Sequence, residues 1–123
     1  MINIYYSSKT ETLIWKFKGI ITKQDISESI EKIKEYSLIM SRIKIYCDSL
    51  NTKLDIETSE LNEISQKMHS YINLFEDVKL SVVAESPKIT AFFMMTFLDS
   101  TDVRLRGKVF STREAATIWL KEL

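Results

Sequence analysis

VKLSVVAESPKITAFFMMTFL, residues Val78–Leu98, says most about how this chain folds. Its first part, VKLSVVAE, is a nearly continuous apolar run, which suits a strand inside a parallel sheet rather than one with a wet face. Ser86 and Pro87 come next. A serine can accept a hydrogen bond from the free amides at a helix start, and proline at the first helical position loses nothing by lacking one. The helix they open, ITAFFMMTFL, is apolar almost all round, so it is either buried on both sides or meets something with its outer face. A strand that passes directly into a helix is half of a βαβ unit. Repeated, it builds a parallel sheet with right-handed crossovers.

The same alternation extends in both directions. INIYY and ETLIWKFKG read as two short strands around the polar turn SSKTE. In the second, Leu13, Trp15 and Phe17 alternate with Thr12, Lys16 and Lys18, the period of a half-buried strand. Thr22 to Asp25 is a capping-box helix start, followed by Ile26, Ile30 and Ile33 in one stripe. RIKIYC is a third strand, and a second helix starting near Thr58 carries Leu61, Ile64, Met68, Tyr71 and Phe75 on one side. After VKLSVVAE and its helix, DVRLRGKVF is the last strand. Ser111 to Glu114 reads as a full capping box for a last helix that buries Ala115, Ala116, Trp119, Leu120 and Leu123. The expected fold is α/β: a single domain over residues 1–123, with a mixed central sheet in β-β-α-β-α-β-α-β-α order and flanking helices.

Composition excludes several function classes. Lys plus Arg and Asp plus Glu both number 17, so the chain has no basic excess for phosphate backbones, and a general nucleic-acid binder is not expected. The longest apolar stretch, near Ala91 to Leu98, is too short to span a bilayer, so no integral membrane segment is expected. The single cysteine, Cys47, lies in an apolar strand and has no internal partner, which fits a reducing compartment. MINIYYSSKTE has no basic region followed by a long apolar run, so no secretory signal is read there and a cytoplasmic protein is expected.

The closing VFSTREAATIWLKEL carries a family resemblance, through Val109-Phe110, Glu114-Ala115 and Trp119-Leu120. With the strand–helix order, it resembles the SpoIIAA-like branch of the STAS superfamily, the STAS/CRAL-TRIO-like domains, over the chain from about Thr12 onward. The pair VKLSVVAE and SPKITAFFMMTFL is similar to that family's fourth strand and third helix. The resemblance is a packing signature without catalytic residues. It implies either regulatory protein contacts, as in anti-sigma factor antagonists, or binding of apolar ligands, as in CRAL-TRIO carriers.

The resemblance also bears on Asp48-Ser49, at the end of the third strand in YCDSLNTKLDIETSE. STAS antagonists place a regulated serine after an aspartate at the start of the second helix, followed closely by glycine. Here Leu50-Asn51 follow and the loop has no glycine. Ser49 is thus a candidate regulatory residue at a position without the helix start that favours phosphate, and the polar-loop reading is preferred.

Other constellations carry less chemistry. His69 is the only histidine and sits beside an apolar helical stripe, so a nucleophile–base pair is not expected. Asp48, Asp55, Glu57 and Glu60 lie near the carboxyl end of the third strand, where α/β folds tend to bind polar ligands, but a solvated acidic loop is the preferred reading. Arg104, Arg106 and Lys108 alternate along the last strand, either as a basic comb for an acidic partner or as charges protecting a sheet edge. No cofactor or metal site is expected. The most informative candidates are Phe92, Phe93, Met94, Met95 and Phe97 of the apolar helix, as core, as a partner or homodimer surface, or as the lining of an apolar pocket. The expected function is a non-enzymatic, cytoplasmic regulatory module working through protein contacts. The alternative is a carrier or sensor for a lipid or other apolar small molecule.

Overall fold

The computed structural model describes residues 1–98 and 104–122. Its elements are β1 (Ile2–Ser7), β2 (Thr12–Phe17), β3 (Gly19–Thr22), α1 (Lys23–Glu35), β4 (Arg42–Asp48), β5 (Thr52–Asp55), α2 (Thr58–Ile72), β6 (Asp77–Val83), α3 (Pro87–Phe93), β7 (Leu105–Phe110) and α4 (Arg113–Lys121). The main sheet runs β1-β2-β4-β6-β7. β1 is antiparallel to β2, and every other neighbour is parallel. The mixed α/β sheet with flanking helices is therefore as the sequence predicts. β3 and β5 are additions, pairing in parallel as a separate two-stranded sheet from Gly19↔Thr52 to Thr22↔Asp55. Gly19 makes the bend between β2 and β3 at φ 75°, a left-handed conformation that side chains disfavour.

Strand register separates two faces. Leu13, Ile45 and Leu80 stand side by side, as do Trp15, Cys47 and Val82. These side chains form one core with Ile26, Ile30 and Ile33 of α1, Ile64 and Met68 of α2, and Phe92 and Phe93 of α3. At its centre Trp15 meets Phe17 at 5.0 Å and Phe97 at 5.5 Å between ring centroids, while Phe93 meets Phe97 at 5.4 Å. Such edge and tilted contacts contribute about 0.5–1.5 kcal/mol each beyond burial. The Trp15 indole N–H donates to the Ser29 hydroxyl at 3.0 Å, which in turn donates to the Ile26 carbonyl at 2.8 Å.

The opposite face is more polar, and α4 packs on it. Lys79, 3% exposed, donates to the carbonyls of Trp119 at 2.6 Å and Glu122 at 2.5 Å, which satisfies the end of α4 and sets a cation against its dipole. The Ser81 hydroxyl donates to the Ala116 carbonyl at 3.0 Å. Lys79 and Ser81 thus read as part of an apolar run and turn out to be the polar clasp of a helix.

Helix starts agree with the sequence at α1, where the Thr22–Asp25 capping box is present, and at α3, where Ser86 accepts from the Ile89 amide at 3.2 Å. At α4 the start moves by one residue. Thr112 is the N-cap and accepts from the Ala115 amide at 3.2 Å, so Ser111 and Glu114 do not form the expected box. Ala116 and Leu120 are buried, Trp119 is half-buried and Ala115 is exposed, whereas Leu123 lies outside the described residues. Asp102 and Val103, read as the start of the last strand, also lie outside them.

Candidate functional site

Two candidate regions come from the sequence, and the structure separates them. The first is the turn that leaves β4. Ser49 has no solvent exposure, and its hydroxyl donates to the Val83 carbonyl at 2.5 Å, as does its own amide at 3.0 Å. Asp48 is buried too. One carboxylate oxygen accepts from the Leu50 amide at 3.1 Å and the other from the Arg113 guanidinium at 2.8 Å. Asn51 adopts φ 57°, and its amide donates to the Glu85 carboxylate at 2.8 Å. The turn is thereby tied to the end of β6 and to the start of α4. α2 does not begin at Ser49 but at Thr58, after β5. The hydroxyl faces a carbonyl rather than the free amides of a helix start, the setting that favours phosphate.

The second region is α3. Its helix is not uniform, because Phe93 and Phe97 are fully buried, Phe92 nearly so, and Met94 and Met95 are 47% and 57% exposed. The helix widens into a π-helical turn over Met94–Leu98. There the Thr96 hydroxyl donates to the Phe92 carbonyl at 2.6 Å, a back-bond that competes with the helix ladder. Such turns are frequent at functional sites. Of the five candidate residues, three aromatics therefore belong to the chain's own core and two methionines to the surface. Beside Met95 lies a shallow groove of about 170 Å³ between β5, α2 and α3, lined by Leu54, Ile56, Leu61, Ala91 and Phe92 among others. Small-molecule sites occupy about 300–1,000 Å³, and this groove is smaller than that range.

The remaining candidates disperse. Asp48 turns towards Arg113, while Asp55, Glu57 and Glu60 line a separate open cleft with Lys23. The Glu60 carboxylate accepts from the Glu57 amide at 2.9 Å, which occupies it as a helix cap. Among the described residues, no group of His, Cys, Asp and Glu is placed to hold a metal ion. His69 is half-buried within α2. Cys47 is fully buried, and burial, followed by the Asp48 charge, pushes its thiol well above the usual range. Arg104, Arg106 and Lys108 are carried by the turn into β7 and by β7 itself, at one edge of the main sheet. Arg106 pairs with Asp77 at 2.8 Å, and Arg104 bonds Asn73.

No family model matches the sequence, and no curated protein matches it. Solved structures do match. One is an uncharacterised protein of the DUF3478 family with a SpoIIAA-like fold from Shewanella loihica PV-4. Its TM-score is 0.61 at 17% identity, over 98% of this chain and 92% of that one. Another is the anti-sigma factor antagonist SpoIIAA in its unphosphorylated form, with a TM-score of 0.61 at 12% identity and 100% of both chains covered. The fold is SpoIIAA-like.

Within this SpoIIAA-like fold, two features escaped the sequence. Arg113 gives no local sign that it reaches back from α4 to neutralise Asp48, since 65 residues separate the two. The split of α3 into an inner aromatic side and an outer methionine pair is likewise hidden, because both sides are apolar. Among the described residues, no helix is long and apolar enough to cross a membrane.

Proposed function

We propose that the protein is a non-enzymatic, cytoplasmic regulatory module that works by protein contacts, through the outer side of α3 and the adjoining edge of β5 and α2. The observation that carries this reading is the exposed Met94–Met95 pair, set on a π-helical turn above a rigid aromatic core and beside an apolar groove sized for a side chain. Flexible thioethers on a rigid base suit a surface that adapts to a partner. The likeness to an anti-sigma factor antagonist supports a regulatory role at the level of fold. Burial of Cys47 withdraws the chain's one thiol from nucleophilic chemistry and fits a reducing compartment. A second copy of this chain is one partner that such a surface accepts.

The reading is tested with Met95→Lys, which alters an exposed side chain and leaves the core intact. Native mass spectrometry and light scattering on the purified chain show whether it self-associates, and affinity capture from its own cells finds other partners. Loss of the oligomer or of a reproducible partner in Met95→Lys, with an unchanged melting curve, supports the proposal. A monomer whose reproducible partners are all retained by the variant overturns it. Phe93→Asp is unsuitable for this purpose, since a carboxylate at a fully buried site unfolds the domain.

A further inference from the structure

A roomier cavity lies away from α3. It is an open groove of about 640 Å³ on the opposite face, between α4 and the backs of β2 and β4. Its volume lies within the range of small-molecule sites, about 300–1,000 Å³. Ile14, Tyr46 and Leu120 form an apolar wall. Lys9, Lys44, Arg113 and Lys121 surround it, and among the described residues no carboxylate lines it. A chain with zero formal net charge thus concentrates cations along one groove. The nearest acids are engaged or lie outside. Asp48 is held by Arg113, and Glu11, Asp77 and Glu122 border a neighbouring cleft that shares Thr10 and Lys44 with the groove.

The position of Lys44 adds a second, independent observation. Register places Lys44, Lys79 and Arg106 abreast on β4, β6 and β7. Like charges directly opposite one another on a sheet are destabilising unless each is compensated. Lys79 is compensated by the last carbonyls of α4, and Arg106 by Asp77. Lys44 is half-buried and has no hydrogen-bond or ion-pair partner among the described residues. The Lys79 ammonium is pushed below its ordinary range by burial first and then by the charges of Arg106 and Lys44. The Tyr46 hydroxyl, raised to about 12 by burial and then by Asp48, remains a neutral donor at the groove wall.

We propose that this groove binds a small amphipathic anion, a carboxylate or phosphate ester carrying an apolar ring or chain. The anionic group pairs with Lys44, and the apolar body lies along Ile14, Tyr46 and Leu120. Charge complementarity selects the head group, and the apolar wall distinguishes such a ligand from a bare inorganic ion. The site is separate from the methionine surface, so its test stands independently of the protein-contact reading.

The test is a ¹H–¹⁵N NMR titration of the intact chain with 2-naphthyl phosphate as probe. Inorganic phosphate, 2-naphthol and a hexaglutamate peptide serve as comparisons. The expected result is saturable binding with the largest amide shifts at Ile14, Lys44, Tyr46 and Thr117, and affinity about tenfold or more above that of either half-probe. Lys44→Met, which keeps the stem and removes the charge, is expected to weaken binding by about tenfold with the spectrum of the free protein preserved. Met95→Lys is expected to bind as the native chain does. The proposal is overturned if the probe does not saturate, if Lys44→Met binds equally well, or if inorganic phosphate does as well as the ester. It is also overturned if hexaglutamate binds the same residues more tightly, which would make the groove a peptide site. Shifts that grow with protein concentration alone would assign the groove to contacts between copies and would overturn the proposal as well.

Discussion

Replacing Ser49 by aspartate tests whether the turn after β4 can host a regulatory phosphate while the domain stays folded. The native hydroxyl is fully buried and donates to the Val83 carbonyl at 2.5 Å. An ionised aspartate at that position cannot donate, so it turns a hydrogen bond into contact between two acceptors. The lost bond costs about 1 kcal/mol net. Burying an unpaired carboxylate costs several kcal/mol more, and the Asp48 carboxylate adjacent to it adds like-charge repulsion. The Val83 carbonyl keeps its bond from the Ser49 amide, so it is not orphaned and adds no further penalty. The total is about 4 kcal/mol or more, against about 5–15 kcal/mol for a whole domain. Ser49→Ala removes only the hydroxyl bond and is expected to cost about 0.5–1.5 kcal/mol. Urea unfolding followed by tryptophan fluorescence measures both. With a slope of about 1–3 kcal/mol per molar, the alanine variant loses about 0.5 M in midpoint and the aspartate variant about 2 M. An aspartate variant with the native midpoint would sink this account of the turn. It would mean that the turn opens at little cost, or that Arg113 accepts the new charge, and Ser49 would then return as a regulatory site.

Three further outcomes follow from the same structure. Ser29→Ala strands the buried Trp15 indole N–H without its acceptor, and equilibrium unfolding is expected to show a loss of about 1–3 kcal/mol. The Cys47 thiol is expected to resist an aromatic disulfide reagent in the native protein and to react fully once urea unfolds it; rapid reaction in native buffer would contradict its burial. Glu31 accepts from the Tyr71 hydroxyl at 2.5 Å and pairs with Lys67 at 3.1 Å, contacts that hold its carboxyl below the usual glutamate range. Because the folded value is depressed, this contribution is present above the unfolded glutamate value and is lost as pH falls through the folded one. A carboxyl-carbon NMR titration is expected to show a low Glu31 midpoint that rises in Tyr71→Phe, and a midpoint unmoved by that change would count against the assignment.

The order of strands and helices was legible because periodicity and capping are local signals. Thr22 with Asp25, and Ser86 with Pro87, mark their helix starts in the chain itself, since an N-cap and the amides it accepts from are at most three residues apart. The apolar face of β2 could be assigned for the same reason, from the alternation of Leu13, Trp15 and Phe17. β3 and β5 were not legible. At four residues each they are too short for a period to declare itself, and each is held by pairing with the other across more than thirty residues. The α4 cap slipped by one residue because Ser111 and Thr112 are both competent caps.

The candidate sites divide along the same line. Apolar content alone identified α3 as the segment to weigh, but could not say that Phe92, Phe93 and Phe97 point inward and Met94 and Met95 outward. That choice belongs to the packed molecule, because hydrophobicity has magnitude along the chain and no direction until a core exists to face. Ser49 in its aspartate context was visible as a candidate, and only its approach to Val83, 34 residues away, shows that its hydroxyl is committed. Lys44, Lys79 and Arg106 are ordinary alternating cations in sequence. Parallel register alone lines them up across the sheet, where one is clasped, one paired and one left facing a groove. Interactions among near neighbours in the chain were enough to set the fold class and most element boundaries. The polar chemistry of the two faces needed the folded molecule, because charge and hydrogen bonding take their meaning from partners far away along the chain.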